Sequence, residues 1–77
     1  MNTERHILSA FDRDLETVQA LVVKMGGMVE SAIHDAANAL ENRDEELAEA
    51  VRRRDSAIDQ LETQINEEAA RLIALRA

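Results

Sequence analysis

The sequence predicts an all-α protein, an antiparallel hairpin of two long helices. Three observations carry the prediction. Proline is absent and glycine occurs only twice in 77 residues. Apolar residues recur at three- and four-residue spacing through both halves of the chain. The one break, Asn42-Arg43-Asp44-Glu45, is too short for anything but a tight reversal. Sandwiches, barrels and doubly wound sheets need turn residues in numbers this chain lacks.

The first helix is expected over about residues 4–41. Its seam reads Leu8, Phe11, Leu15, Val18, Val22, Met25, Val29, Ala32, Ala36 and Ala39, every position apolar. That is the pattern of a helix facing a partner along its whole length. A second stripe runs beside it through Leu21, Met28, Ile33, Ala37 and Leu40, wider than a two-helix contact needs. The turn is expected at about residues 42–44, with Asn42 capping the second helix and Glu45 as its reciprocal partner.

The second helix is expected over about residues 45–76. Its seam is Leu47, Val51, Ile58, Leu61, Ile65, Leu72 and Leu75, interrupted by Arg54 and Glu68 and widened by Ala57, Ala69, Ala70 and Ile73. Glu49 with Arg53 and Glu67 with Arg71 form i,i+4 pairs. A reversal centred on residues 43–44 makes facing positions sum to about 87, setting Leu40 against Leu47, Ala36 against Val51, Val29 against Ile58, Val22 against Ile65 and Leu15 against Leu72. A lone hairpin buries one seam and must offset roughly 1.5 kcal/mol of entropy per ordered residue. Residues 1–77 are therefore one hairpin completed to a helical bundle, by self-association into a dimer or by a missing third helix.

Composition excludes several functions. Sixteen acidic residues against nine basic give a net charge of −7 with a single aromatic residue, a poor surface for nucleic acid. Without cysteine there is no disulfide and no thiolate metal site. Apolar runs reach only four residues, as in Ala20-Leu21-Val22-Val23, so there is no membrane span or secretory leader.

Candidate sites are few. Asp55, Asp59 and Glu62 fall at i, i+4 and i+7, three carboxylates on one face that either form a solvated row or attract a hard cation. Arg52-Arg53-Arg54 is the only basic cluster and reads as solvated charge paired with Glu49 and Asp55, or as a docking contact. His34-Asp35 lacks the proline-containing context of a phosphoacceptor histidine, and His34 instead pairs with Glu30 one turn earlier. Ser9, Ser31 and Ser56 stand alone on helices, so no nucleophile with a base is formed and the chain is not an enzyme. Gly26-Gly27 costs about 2 kcal/mol relative to alanine inside a helix. It marks a close helix approach, a bend or a groove for a partner.

The string Met25-Gly26-Gly27-Met28-Val29-Glu30 resembles a signature of the PhoU family of bacterial phosphate-signalling regulators. The resemblance extends through His6-Ile7, Phe11 and Leu15-Glu16, then the turn region Ala39-Leu40-Glu41-Asn42-Arg43-Asp44-Glu45-Glu46-Leu47-Ala48. It continues into Val51, Asp55, Ile58, Leu61-Glu62, Ile65 and Arg71-Leu72-Ile73-Ala74. It implies three-helix repeats, of which this chain is similar to the first two helices of the first repeat. It also implies a non-catalytic cytoplasmic adaptor, peripheral at the inner membrane through its partners, a phosphate ABC transporter and a sensor histidine kinase. Such an adaptor restrains the phosphate-starvation response. The family's Glu/Asp-x-x-x-Asp motifs hold iron, zinc or manganese. The similar stretch here is Glu62-Thr63-Gln64-Ile65-Asn66, where asparagine removes one anionic ligand. The competing reading from the residues alone is a structural coiled-coil module with no phosphate role.

Overall fold

The structure, a computed structural model, describes residues 2–76, with side-chain environments for residues 9–75. Two helices account for it, α1 (Asn2–Asn42) and α2 (Glu45–Arg76), folded back on each other as an antiparallel hairpin. Helix-forming residues run without interruption, so α1 reaches 41 residues, about 62 Å at 1.5 Å per residue. The molecule is a rod of 62 × 15 × 14 Å. Its radius of gyration is 17.9 Å, against about 11.5 Å for a compact chain of this length. Leu8 and His6, named from the sequence, lie outside the described side chains.

The reversal is where expected, but its chemistry differs from the sequence reading. Arg43 takes the left-handed conformation with φ 53°. Its N–H donates to the Leu40 carbonyl (3.4 Å) and the Asp44 N–H to the Ala39 carbonyl (2.8 Å). These two bonds satisfy the carbonyls that end α1, as a Schellman motif does. Asp44 then caps α2. Its Oδ1 accepts from the Leu47 N–H at 3.0 Å, and its carbonyl from Ala48 N–H at 3.0 Å. Asn42 does not cap α2. It is the last residue of α1, and its Nδ2 donates to the backbone carbonyl and Oδ1 of Asn38. The left-handed residue moves the start of α2 past Asn42, so the box with Glu45 cannot close. Glu45 and Glu46 instead sit in the first turn of α2, where the helix dipole favours acids.

The α2 seam matches expectation over most of its length. Leu61, Ile65 and Leu72 are buried, and Leu47, Val51 and Ile58 partly so. Leu75 is the exception and is exposed.

On α1 the seam is rotated from the expected line. Phe11, Val18, Met25, Ala32 and Ala39 face inward as read, but Asp14, Leu21, Met28 and Asp35 alternate with them. Leu15, Val22 and Val29 are displaced to the flank at 38%, 47% and 37% exposure, and Ala36 is exposed. Leu40, expected against Leu47, is 82% exposed, and its neighbour Ala39 is buried in its place.

The rotated seam brings opposite charges together across the hairpin. Asp35 Oδ2 receives Arg54 Nη2 at 2.7 Å, and Asp14 Oδ2 receives Arg71 Nη1 at 3.4 Å. Arg71 Nη2 also donates to Glu68 at 2.8 Å. The two residues that interrupted the α2 seam, Arg54 and Glu68, are thus both tied into ion pairs. Both cross-helix pairs fall within two residues of the expected register sum of about 87. Each pair is half in water and stabilises by at most about 1 kcal/mol. Polar partners on a seam fix register more than they add stability.

The core that results is thin. Ala39, Leu61, Ile65 and Leu72 are the buried apolar residues among those described, and none of the described side chains is fully enclosed. The accessible surface is 6276 Å², against about 4,700 Å² for a compact protein of this mass.

Candidate functional site

The largest unsatisfied feature is a face of α1. Leu15, Val22, Val29, Ile33 and Leu40 are exposed large apolar residues, and at 100° per residue they fall within a sector of roughly 60° together with Gly26. The residues that face α2, among them Leu21, Met25 and Ala32, are centred about a quarter-turn away around the same helix. The apolar surplus on α1 is therefore a second contact face pointing past α2. At one end it opens into a groove lined by Phe11, Leu15, Val18, Ala69, Leu72 and Ile73.

Gly26 and Gly27 are both exposed within regular α1. A Cβ placed on either meets no atom within 4 Å. The α1–α2 contact is therefore not the close approach that the glycines suggested. Gly26 lies in the apolar sector. Gly27 borders the opposite flank, in a groove with Lys24, Met28, Ser31, Arg54, Ala57 and Ile58.

Asp55, Asp59 and Glu62 are exposed on α2. Asp55 and Glu62 precede Ala69 by two heptads and one, and Asp59 precedes Ile73 by two. Ala69 and Ile73 line the groove with Leu15, so the acidic row borders the same side of the hairpin as the free face of α1. Among the described residues, no three His, Cys, Asp or Glu side chains are gathered so as to hold a metal ion. Glu62 and Asn66 are both exposed.

The basic cluster is divided between partners. Arg52 pairs with Glu49 at 3.2 Å, Arg54 crosses to Asp35, and Arg53 is exposed. The local pairs therefore run i,i+3, Glu49–Arg52 and Glu68–Arg71, in place of the i,i+4 pairs with Arg53 and Glu67 read from the sequence. The Glu68 hydrogen bond and charge, then Asp14, hold the Arg71 guanidinium above its ordinary pKa, so it stays charged throughout the accessible range. His34 and Glu30 are exposed, and no ion pair joins them. Ser9, Ser31 and Ser56 are exposed too, and none of the described hydrogen bonds gives any of them a base. The sequence reading missed Asp14 and Asp35. Their signal was an acid one position before a seam leucine or alanine, facing an arginine at the register sum.

No helix among the described residues is long and apolar enough to cross a membrane. The PhoU domain family matches residues 22–77. A phosphate-specific transport system accessory protein PhoU homolog from Pseudomonas aeruginosa is 44% identical over 71 residues, covering 92% of this chain and 29% of the relative. The phosphate-specific transport system accessory protein PhoU of Escherichia coli is 38% identical over 76 residues, 99% of this chain and 32% of the relative. A homolog from Clostridium acetobutylicum is 38% identical over 66 residues, 86% of this chain and 30% of its own length. No solved structure matches the chain significantly. The chain spans about a third of the length of the curated relatives it matches. Identity at this level, carried along nearly the whole hairpin, shows that the chain belongs to the PhoU family.

Proposed function

We propose that this chain serves phosphate-dependent regulation as a non-catalytic adaptor, presenting helix surfaces to a phosphate ABC transporter and a sensor histidine kinase on the cytoplasmic side of the membrane. The observation that carries the reading is the free face of α1, an apolar docking strip of five large side chains that α2 leaves exposed. The relatives named as accessory proteins of phosphate-specific transport supply the physiological setting. The hairpin corresponds to two helices of a larger helical repeat. Its role is to bind and position, since the described side chains gather neither a metal-ligand set nor a nucleophile beside a base.

The test is a chimera. Residues 1–77 replace the aligned third of the Escherichia coli relative in a strain lacking that protein, with a phosphate-starvation reporter read in phosphate-rich medium. The reading predicts that the reporter stays silent. A chimera that is folded and abundant, yet leaves the reporter fully on, would overturn it in favour of a structural coiled-coil segment.

A further inference from the structure

The flank of the hairpin away from the apolar strip carries a groove of different chemistry. Lys24 and Ser31 lie about half a turn around α1 from Leu15, Ile33 and Leu40. Two adjoining hollows between the helices open on this side and share Lys24, Met28 and Ala57. Their floor is apolar, with Met28 and Ile58 half-buried and Leu61 buried. The exposed lips are Lys24, Ser31, Gln60 and Gln64. No acid lines either hollow, in a chain where sixteen acids stand against nine bases.

Lys24 is the single lysine of the chain, and none of the described ion pairs includes it. Its helix neighbours at three and four residues are Ala20, Leu21, Gly27 and Met28, so α1 offers it no acid at pairing distance. Arg54, the other cation of the groove, is held on Asp35 at 2.7 Å. Gly27 leaves open space where a side chain would stand at the groove's edge, which lowers the α1 wall for an incoming segment. Arg53 and Arg71 continue the line of Gln60 and Gln64 one heptad beyond each end. The acids nearest that line, Glu46, Glu49 and Glu67, lie outside the groove.

We propose that this groove docks an acidic amphipathic helix of a partner protein, its apolar side chains on Met28 and Leu61 and its carboxylates on Lys24 and the arginines beyond. Charge complementarity selects the acid. The floor selects a protein segment over a small anion. It runs beside residues 24–31 and 57–64, about 10 Å of helix, and an apolar surface of that length takes side chains that a bare anion lacks. The site goes beyond the adaptor strip and does not depend on it. Whatever packs on the strip, a further helix of a longer protein or a partner, meets α1 from the other side.

The single lysine makes the site addressable. The full chain is mixed with a synthetic Glu/Leu amphipathic helical peptide that has no free amine, and treated with a carbodiimide to join bound carboxylates to amines. Peptide mapping should place the link at Lys24, not at the N-terminal amine. Lys24→Arg should keep the affinity and lose the link. Lys24→Glu should weaken the peptide roughly tenfold or more with the helix signal unchanged, and Ala57→Glu should do the same by setting an acid in the groove. Ile33→Glu adds charge of the same sign on the strip and should leave the affinity as it was. A link confined to the N-terminus, full affinity in Lys24→Glu, or equal binding of a Lys/Leu counterpart peptide would overturn the proposal. Affinity lost in Ile33→Glu alone would overturn it too and move the peptide to the adaptor strip, whereas failure of the chimera leaves a Lys24 link standing.

Discussion

Replacing Asp44 with alanine tests the construction of the turn, since only one side chain is asked to start α2. Asp44 Oδ1 accepts a single hydrogen bond, from Leu47 N–H at 3.0 Å, and its carboxylate also sits at the positive end of the helix dipole. Removing such a cap costs about 1 kcal/mol, within a range of roughly 0.5–2. For a chain of this size that lowers the melting temperature by about 4–8 °C. Asn42→Ala is the internal control. Asn42 bonds only to Asn38, at the exposed end of α1, and alanine is the better helix former. Its stability should change by less than about 0.5 kcal/mol. Both variants are melted by far-UV circular dichroism at one fixed concentration, because any association would make the midpoint concentration-dependent. If Asn42→Ala proves the more damaging of the two, the cap has been assigned to the wrong residue and the turn reading fails.

Other consequences can be checked in the same assay. A double-mutant cycle on Asp35 and Arg54, which pair at 2.7 Å, should return a coupling of about 0.5–1 kcal/mol; no coupling would remove the pair from the account of the rotated seam. Leu61→Ala should cost about 2–4 kcal/mol because Leu61 is buried. That is a large share of the stability of any small domain, so denaturant melts should show much of the chain unfolded in dilute buffer. Gly27→Ala should stabilise by about 1 kcal/mol, since α1 is regular there and the added methyl meets nothing within 4 Å. A destabilised Gly27→Ala variant would mean that another surface occupies that space.

How much of this was legible in the sequence depended on the range of the interactions that decide each feature. The helices, the position of the reversal and the register follow from local signals, the apolar period and the absence of Gly and Pro. Which α1 stripe meets α2 was not legible. Leu15, Val22 and Val29 are as apolar as Leu21 and Met28 and form the neighbouring stripe, about 80–140° away around the same helix. The observed choice sets Asp14 and Asp35 against Arg71 and Arg54 across the hairpin, contacts visible only after the register is known. The cap was misplaced for a different reason. Glycine usually announces a left-handed residue, and here Arg43 takes that conformation without the signal. The acidic row of Asp55, Asp59 and Glu62 is exposed on α2, and spacing alone gives such a row no ligand. Gly26 stood out because two adjacent glycines are costly in a helix. Its setting, the middle of an exposed apolar strip, emerged only once α2 had taken the other stripe.

The central claim is that α2 packs on one side of α1 and leaves the apolar face of Leu15, Val22, Val29, Ile33 and Leu40 uncovered. Native-state thiol labelling of single-cysteine variants tests this most directly, with the far-UV helix signal read on the same samples. The account predicts fast labelling of Ile33→Cys and Leu40→Cys and protection of Leu61→Cys and Leu72→Cys. Fast labelling at Leu61 and Leu72 in a fully helical sample, with protection at Ile33 and Leu40, would contradict it.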